Sequence, residues 1–193
     1  MAITIHEKFP SNIEPDTKYV FYSHGWIVEG ENKQPVDHRW GMYDFPAIQQ
    51  ALTSQQHQLI SIHRPKDTDP FAHSKELATY ANKLINNGVK PENITFIGFS
   101  RGSFITGLVS NELKNKDINF VLLAACGRLL SKKHNDLQLY GNVLSIYETS
   151  DGPQSCAKLA DRSENISSFK EVVINTNLSH GAFYKPRMDW LLP

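Results

Sequence analysis

The sequence has few cysteines, no excess charge of either sign and no long apolar run. Its 193 residues include only two cysteines, Cys126 and Cys156, too few for a disulfide-built scaffold. Twenty basic and twenty acidic side chains balance, so the chain lacks the clustered positive charge that a sequence-independent grip on nucleic acid needs. Apolar runs such as 121–126 are much shorter than the roughly 18 residues of a membrane span. These absences argue against nucleic-acid binding and against a membrane-spanning segment.

The first residues also lack the charged-then-apolar pattern of a secretory signal peptide. We therefore expect a cytoplasmic protein in which Cys126 and Cys156 stay reduced, although their spacing also allows them to pair. A trimmed mature form would instead point to a secreted or periplasmic protein. The length and the 40% hydrophobic content predict one compact domain over residues 1–193.

Short apolar segments alternate with helical patterns along the chain. Apolar spacing typical of helices follows Asp69-Pro70 and Ser100, and shorter helices are predicted at 46–52 and 156–162. The predicted strands are rich in Val, Ile, Leu and Phe and show little polar alternation, which is typical of strands covered on both faces. They are 18–23, 59–63, 94–98, 119–125, 143–147 and 170–175. This order predicts a three-layer α/β/α sandwich around a mostly parallel, doubly wound sheet of about six strands.

A G-x-S-x-G motif, Gly98-Phe99-Ser100-Arg101-Gly102, lies between a predicted strand and a predicted helix. A sharp turn there strains the serine backbone, and glycines two residues away avoid the collisions that a Cβ would cause. The turn exposes the Ser100 hydroxyl at a helix N-terminus, where free N–H groups favour developing negative charge. We interpret Ser100 as a nucleophile; the alternative is an ordinary glycine-rich turn.

The order of motifs resembles the α/β-hydrolase superfamily over about residues 18–183. In that family an acid follows a later strand and a histidine follows the last one. Here Asp151 follows the strand at 143–147, and His180 follows the strand at 170–175. The resemblance implies that Ser100 is the nucleophile, His180 the base and Asp151 the orienting acid. Glu148 and Asp161 are the alternative acids.

A second segment, Ser23-His24-Gly25-Trp26, resembles the histidine-glycine segment of the same family. This likeness implies that the backbone N–H groups of Trp26 and Arg101 form an oxyanion hole, with His24 orienting the loop. The alternative is that Gly25 only turns the chain. Only residues 126–142 separate two predicted strands where family members often carry a cap, so we expect no cap domain.

The aromatic segment 27–44 is long for a connection, and we interpret it as one wall of the substrate pocket. Tyr43 and Phe183, together with Trp26 and Tyr184, are predicted apolar contacts. Arg64 and Arg101 have a side chain suited to a substrate carboxylate, or they pair with acids such as Asp67 or Asp69.

No metal or cofactor is expected. The eight histidines do not form a known ligand spacing, and no phosphate-binding or dinucleotide-binding glycine motif is present. The sequence therefore predicts a serine hydrolase that cleaves a small carboxylic ester through an acyl-enzyme on Ser100. The alternatives are a thioesterase, amidase or acyltransferase with the same triad, or a non-catalytic binding protein that kept the fold. The sequence leaves the individual substrate and the oligomeric state open.

Overall fold

The computed structural model describes residues 4–192. Pro193 and Met1–Ile3 lie outside the described residues. Met1–Ile3 belong to the N-terminal segment that lacks a signal-peptide pattern. The strands are β1 (Ile5–His6), β2 (Lys18–Ser23), β3 (Val36–Asp37), β4 (Gly41–Met42), β5 (His57–Ile60), β6 (Ile94–Phe99), β7 (Asn119–Leu123), β8 (Gly141–Glu148) and β9 (Ile166–Ile174). The helices are α1 (Phe45–Ala51), α2 (Pro70–Asn86), α3 (Arg101–Leu113), α4 (Cys126–Leu129), α5 (Ala157–Asp161) and α6 (Met188–Leu191). Short 3₁₀ turns occur at Trp26–Val28, Pro91–Asn93, Lys132–His134 and Ser179–Phe183.

The main sheet has seven parallel strands in the order β1-β5-β2-β6-β7-β8-β9. The predicted doubly wound parallel sheet is confirmed, with β1 as an additional edge strand. A strand of two residues is too short to leave an apolar pattern, which explains why the sequence did not reveal it. A small antiparallel hairpin, β3-β4, stands apart from the sheet inside the predicted pocket wall.

Helices cover both faces of the sheet. Neighbouring residues of each strand point to opposite faces, so apolar side chains on both faces are buried. Phe21 and Phe96 face α2 and α3, whereas Tyr22 and Phe99 face α1 and the C-terminal segment. The apolar stripe of α2 begins after the Asp69 cap and buries Leu77, Ala81 and Leu84. Among residues 4–192, no helix is long and apolar enough to cross a membrane.

The connection between β7 and β8 is short, as predicted. Its 17 residues, 124–140, hold only α4 and a 3₁₀ turn. This length is sufficient for a crossover between parallel strands but leaves no cap domain at this position.

Cys126 and Cys156 form a disulfide, so the expectation of reduced thiols is wrong. Cys126 begins α4 directly after β7, and Cys156 precedes α5, which brings their Cα atoms to 5.3 Å. The Cys156 N–H also donates to the Glu171 carboxylate on β9. The spacing along the chain could not show this proximity, because the crossover between β7 and β8 creates it. The expected cytoplasmic location loses the support that reduced thiols would have given it.

We expect the disulfide to contribute substantially to stability. The cross-link joins residues 30 positions apart, and a loop of this length predicts a loss of about 3–4 kcal/mol in unfolding free energy when both cysteines are replaced by alanine. Urea denaturation of the wild-type protein and of the Cys126→Ala/Cys156→Ala variant measures this difference. Equal stabilities, with the wild type confirmed as oxidised by thiol titration, would contradict the expectation.

Candidate active site

Ser100 occupies the sharp turn between β6 and α3. Its backbone has φ 54° and ψ −113°, a strained conformation for a residue with a side chain. A Cβ on Gly98 would lie 2.3 Å from the Gly102 carbonyl oxygen, and one on Gly102 would lie 1.9 Å from that of Ser23. Only glycine therefore fits at both positions, as the motif predicted. The Ser100 side chain is partly exposed.

Ser103 fixes this turn against the neighbouring strand. Its hydroxyl lies 2.5 Å from the Gly98 carbonyl oxygen, and it accepts a hydrogen bond of 2.9 Å from the Leu123 N–H. The Ser100 N–H donates to the Leu123 carbonyl oxygen at 3.0 Å. The end of β7 is therefore hydrogen-bonded to the serine turn. The role of Ser103 cannot be recognised from the sequence, because a serine inside a helix carries no signal of a strand contact.

Asp151 and His180 are in direct contact. Asp151 lies in the loop after β8, and His180 lies in the 3₁₀ turn after β9. The distance from His180 Nδ1 to Asp151 Oδ2 is 2.6 Å, and the other oxygen, Oδ1, accepts the Gly152 N–H at 2.7 Å. A carboxylate at Nδ1 favours the tautomer with the proton on that nitrogen, which leaves Nε2 free to accept a proton.

Two aromatic side chains pack against the His180 ring. The ring centroid lies 4.7 Å from that of Phe99 and 5.1 Å from that of Trp40. Phe99 is the residue before Ser100, so the serine turn and the histidine turn share this contact. His180 is therefore oriented by Asp151 at one edge and by the two aromatic rings at its sides.

Ser100, Asp151 and His180 line one cleft of about 480 Å³. The cleft lies at the carboxyl ends of the strands, where doubly wound sheets place their binding sites. Its other lining residues come from the segment after β2, the β3-β4 hairpin, the last residue of β6 and the loops after β8 and β9. They are Gly25, Trp26, Ile27, Asp37, Arg39, Trp40, Phe99, Gly152, Pro153, Ser179 and Tyr184. The segment 27–44 therefore forms a wall of the cleft, through its hairpin.

Glu148 does not contact His180; it joins the two loops that carry Asp151 and His180. This fully buried carboxylate accepts the Ser150 N–H at 2.7 Å with one oxygen. With its other oxygen it accepts the N–H groups of Thr176 and Asn177 at 2.9 and 3.0 Å. Burial raises the pKa of Glu148, but the hydrogen bond from the Ser150 hydroxyl, together with these backbone hydrogen bonds, outweighs it, so the pKa lies below its ordinary value. The other alternative acid, Asp161, is exposed in α5.

Replacing Glu148 with glutamine should loosen both loops. An amide has one acceptor oxygen where the carboxylate has two, so buried N–H groups lose partners, at a cost of about 1–3 kcal/mol in unfolding free energy. Because folding lowers the pKa of Glu148, its stabilising effect is present above the ordinary pKa of 4.5 and is lost as the pH falls below that value. Thermal unfolding between pH 7 and 3 should therefore show the gap between wild type and variant closing with acid. The exposed Glu164→Gln serves as the control; a gap independent of pH would contradict this role.

Trp26 follows β2 and Arg101 follows Ser100, so both residues lie at the end of the sheet that carries Ser100. Each residue is the first of a helical turn, where an N–H group has no partner within the helix. Gly25 allows this approach, since a Cβ there would lie 3.1 Å from the Phe99 ring. The Trp26 side chain is 63% exposed at the mouth of the cleft.

Buried hydrogen bonds hold the loop before Trp26. His24 Nε2 accepts the Arg64 N–H at 3.0 Å, so its Nδ1 carries the proton and donates to the Gly25 carbonyl oxygen at 2.8 Å. Burial, and to a lesser degree the Arg64 charge, lowers the pKa of His24 well below its usual range. His24 therefore stays neutral and acts on the conformation of the loop.

Three residues predicted to contact the substrate are instead buried. Tyr43 is fully enclosed, with its hydroxyl 2.6 Å from that of Tyr22, and Phe183 packs 5.5 Å from Phe99 between ring centroids. Both belong to the apolar layer beneath the cleft, where they support Phe99. Of the four predicted apolar contacts, only Trp26 and Tyr184 line the cleft.

Arg64 is the third buried residue, and its partner is Glu29. Its Nε lies 3.2 Å from Glu29 Oε1, and Arg101 Nε lies 3.0 Å from the same oxygen. Neither arginine pairs with Asp67 or Asp69, as one sequence alternative had proposed. Glu29 directly follows the 3₁₀ turn Trp26–Val28 and joins both arginines, a contact between distant segments that the sequence pattern does not reveal.

Comparison with solved structures identifies the fold of this chain. No family model and no curated protein matches the sequence. Among solved structures, a serine hydrolase without a lid from Xanthomonas campestris is 17% identical, with a TM-score of 0.59 over 90% of this chain and 79% of that chain. SOBER1 from Arabidopsis thaliana is 13% identical, with a TM-score of 0.55 over 87% of this chain and 94% of that chain. Esterase PE8 is 13% identical, with a TM-score of 0.55 over 93% and 92% of the two chains.

These likenesses agree with the seven-stranded parallel sheet flanked by helices. At such low identity they show the fold alone. The chain therefore has the α/β-hydrolase fold, with no lid inserted between β7 and β8.

Proposed function

We propose that this protein is a serine hydrolase that cleaves a small carboxylic ester. The observation that carries the proposal is the Asp151–His180 contact of 2.6 Å in the cleft that also exposes Ser100. The known esterases and serine hydrolases among the structural neighbours support the same class of chemistry.

In the first half of the reaction, Ser100 Oγ attacks the ester carbonyl carbon while His180 Nε2 takes the hydroxyl proton. Asp151 accepts the hydrogen bond from the His180 Nδ1–H group and stabilises the imidazolium that forms. The carbonyl oxygen becomes negative and accepts hydrogen bonds from the N–H groups of Trp26 and Arg101. The bond to the alcohol oxygen then breaks, and the alcohol leaves with the proton from His180.

In the second half, water attacks the acyl-enzyme and gives a proton to His180 Nε2. The bond between Ser100 Oγ and the acyl carbon breaks, the carboxylic acid leaves, and the proton returns to the serine. The protein's own groups supply every step, so the proposal requires no cofactor.

A serine-directed fluorophosphonate tests the nucleophile, and aryl esters test the reaction. We expect the probe to label wild-type protein at Ser100 and not to label the Ser100→Ala variant. We also expect wild-type protein to hydrolyse a short-chain 4-nitrophenyl ester, with turnover lost in Ser100→Ala. Equal turnover by both proteins would reject the serine mechanism. Labelling without ester turnover would favour the thioesterase, amidase or acyltransferase alternatives, and no labelling at all would favour a non-catalytic protein.

A further inference from the structure

A second cavity, of about 400 Å³, adjoins the catalytic cleft. The two share four lining residues from the β3-β4 hairpin and the histidine turn: Arg39, Trp40, Ser179 and Tyr184. A molecule bound across this shared wall would reach both spaces. We call the second cavity the side pocket; its remaining lining residues are Gly41, Met42, Asn177, Leu178, Gly181, Lys185 and Arg187.

The side pocket is positively charged in a protein whose formal net charge is zero. Three cationic side chains, Arg39, Lys185 and Arg187, line it, and none of its lining residues is acidic. Burial, reinforced by Asp37, raises the pKa of Tyr184 to about 12, so the tyrosine hydroxyl adds no negative charge at neutral pH. The wall of the side pocket therefore carries three positive charges, of which the Asp37 carboxylate offsets the one on Arg39.

Two of these cations have no ionic partner. Arg39 pairs with Asp37 at 3.3 Å and lies 3.8 Å over the Trp40 ring. Within residues 4–192, no carboxylate lies within 4.0 Å of the Lys185 or Arg187 side-chain nitrogens. The Arg187 Nε is also buried without a hydrogen-bond partner. The charged groups that face solvent belong to Lys185, which is exposed, and Arg187, which is half-buried. An ammonium or guanidinium group without an ionic partner at a cavity can donate to a carboxylate or phosphate oxygen.

The backbone fixes the cationic residues relative to the catalytic histidine. Lys185 and Arg187 follow the 3₁₀ turn that carries His180, and the Tyr184 carbonyl oxygen accepts the Asp44 N–H at 2.8 Å. Gly181 lies so close to Trp40 that a Cβ would approach that side chain to 2.9 Å. The hairpin and the histidine turn therefore pack directly together, and the side pocket lies at their junction.

We propose that the side pocket binds a negatively charged group of the substrate, so that the preferred ester carries a carboxylate or phosphate beyond its scissile bond. This inference rests on the proposed hydrolase function for its catalytic consequence, but anion binding itself does not depend on turnover. The charged group would lie beside Lys185 and Arg187 while the ester carbonyl lies at Ser100. Either the acyl part or the alcohol part of the ester can carry the charge.

The test compares neutral with anionic esters in two pairs. 4-Nitrophenyl butyrate and 4-nitrophenyl hemisuccinate differ by a carboxylate on the acyl side, whereas phenyl butyrate and 4-carboxyphenyl butyrate differ by one on the alcohol side. We expect wild-type protein to show a higher kcat/KM for the anionic member of at least one pair. The preference should weaken as ionic strength rises, because salt screens exposed charges.

The variant Lys185→Gln/Arg187→Gln should reduce the ratio of anionic to neutral kcat/KM about tenfold, the usual cost of losing a hydrogen bond to a charged group. Lys90→Gln serves as the matched control, because this exposed lysine lies before β6, at the opposite end of the sheet. The control should leave both ratios unchanged. Unequal falls for the two pairs would identify the part of the ester that carries the charge.

Binding to the Ser100→Ala protein separates this inference from the proposed function. Calorimetry should show tighter binding of the hemisuccinate or the carboxyphenyl ester than of its neutral partner, with the preference lost when Lys185→Gln/Arg187→Gln is added. Equal binding of neutral and anionic esters would overturn the side-pocket proposal even if the enzyme hydrolyses both. Preferential binding without any turnover by wild-type protein would support the side pocket and reject the ester hydrolase.

Discussion

Replacing His180 with alanine is expected to lower kcat/KM for ester hydrolysis by roughly 10⁵-fold, because the serine then has no base to accept its proton. His180 Nδ1 is held by Asp151 at 2.6 Å, and the ring packs against Phe99, so the lost group is one with a defined orientation. Steady-state kinetics with an activated aryl ester measure the effect. Circular dichroism checks that the variant remains folded.

The double variant His180→Ala/Ser100→Ala provides the stricter comparison. Nucleophile and base act as one unit, so removing both should cost little more than removing either alone. Multiplicative losses would mean that Ser100 and His180 act independently and would contradict the proposed mechanism.

Asp151→Asn is expected to lower kcat by about 10³–10⁴-fold with little loss of stability. The amide has nearly the shape of the carboxylate, but its NH₂ group favours the histidine tautomer with the proton on Nε2, which can no longer accept a proton from serine. Pre-steady-state measurement of acyl-enzyme formation would show the defect in the first chemical step.

The matched control for this variant is Asp161→Asn, which makes the same change at the exposed acid of α5. It should retain wild-type kcat. A loss caused by Asp161→Asn and not by Asp151→Asn would show that the orienting acid had been assigned to the wrong residue.

The sequence predicted those features that depend on local pattern and order. The parallel sheet follows from short apolar strands that alternate with amphipathic helices, and the serine turn follows from glycines whose Cβ atoms would collide with backbone. The positions of Asp151 and His180 after successive strands placed them at one edge, because parallel strands end on the same side of a sheet. Their contact follows from topology more than from any single residue.

The residues that were misassigned depend on packing between distant segments. Tyr43 and Phe183 occur in loops near the cleft, and a linear sequence does not distinguish an aromatic ring on a pocket wall from one in the layer beneath it. Sequence distance favours Asp67 and Asp69 as partners of Arg64, whereas the structure pairs it with Glu29. The position of Glu148 at the end of a strand suits a catalytic acid, but its oxygens already accept hydrogen bonds from backbone N–H groups.

The short connection between β7 and β8 has a consequence for the choice of acyl acceptor. An acyl group on Ser100 would lie in a cleft whose rim includes an exposed Trp26 and no inserted domain at the 124–140 crossover. Transfer to an alcohol or amine requires that water be kept away from the acyl carbon, a task that lids perform when they close. An open cleft gives bulk water access to the acyl carbon of the proposed intermediate, so we expect hydrolysis to outcompete acyl transfer even when an alternative nucleophile is abundant.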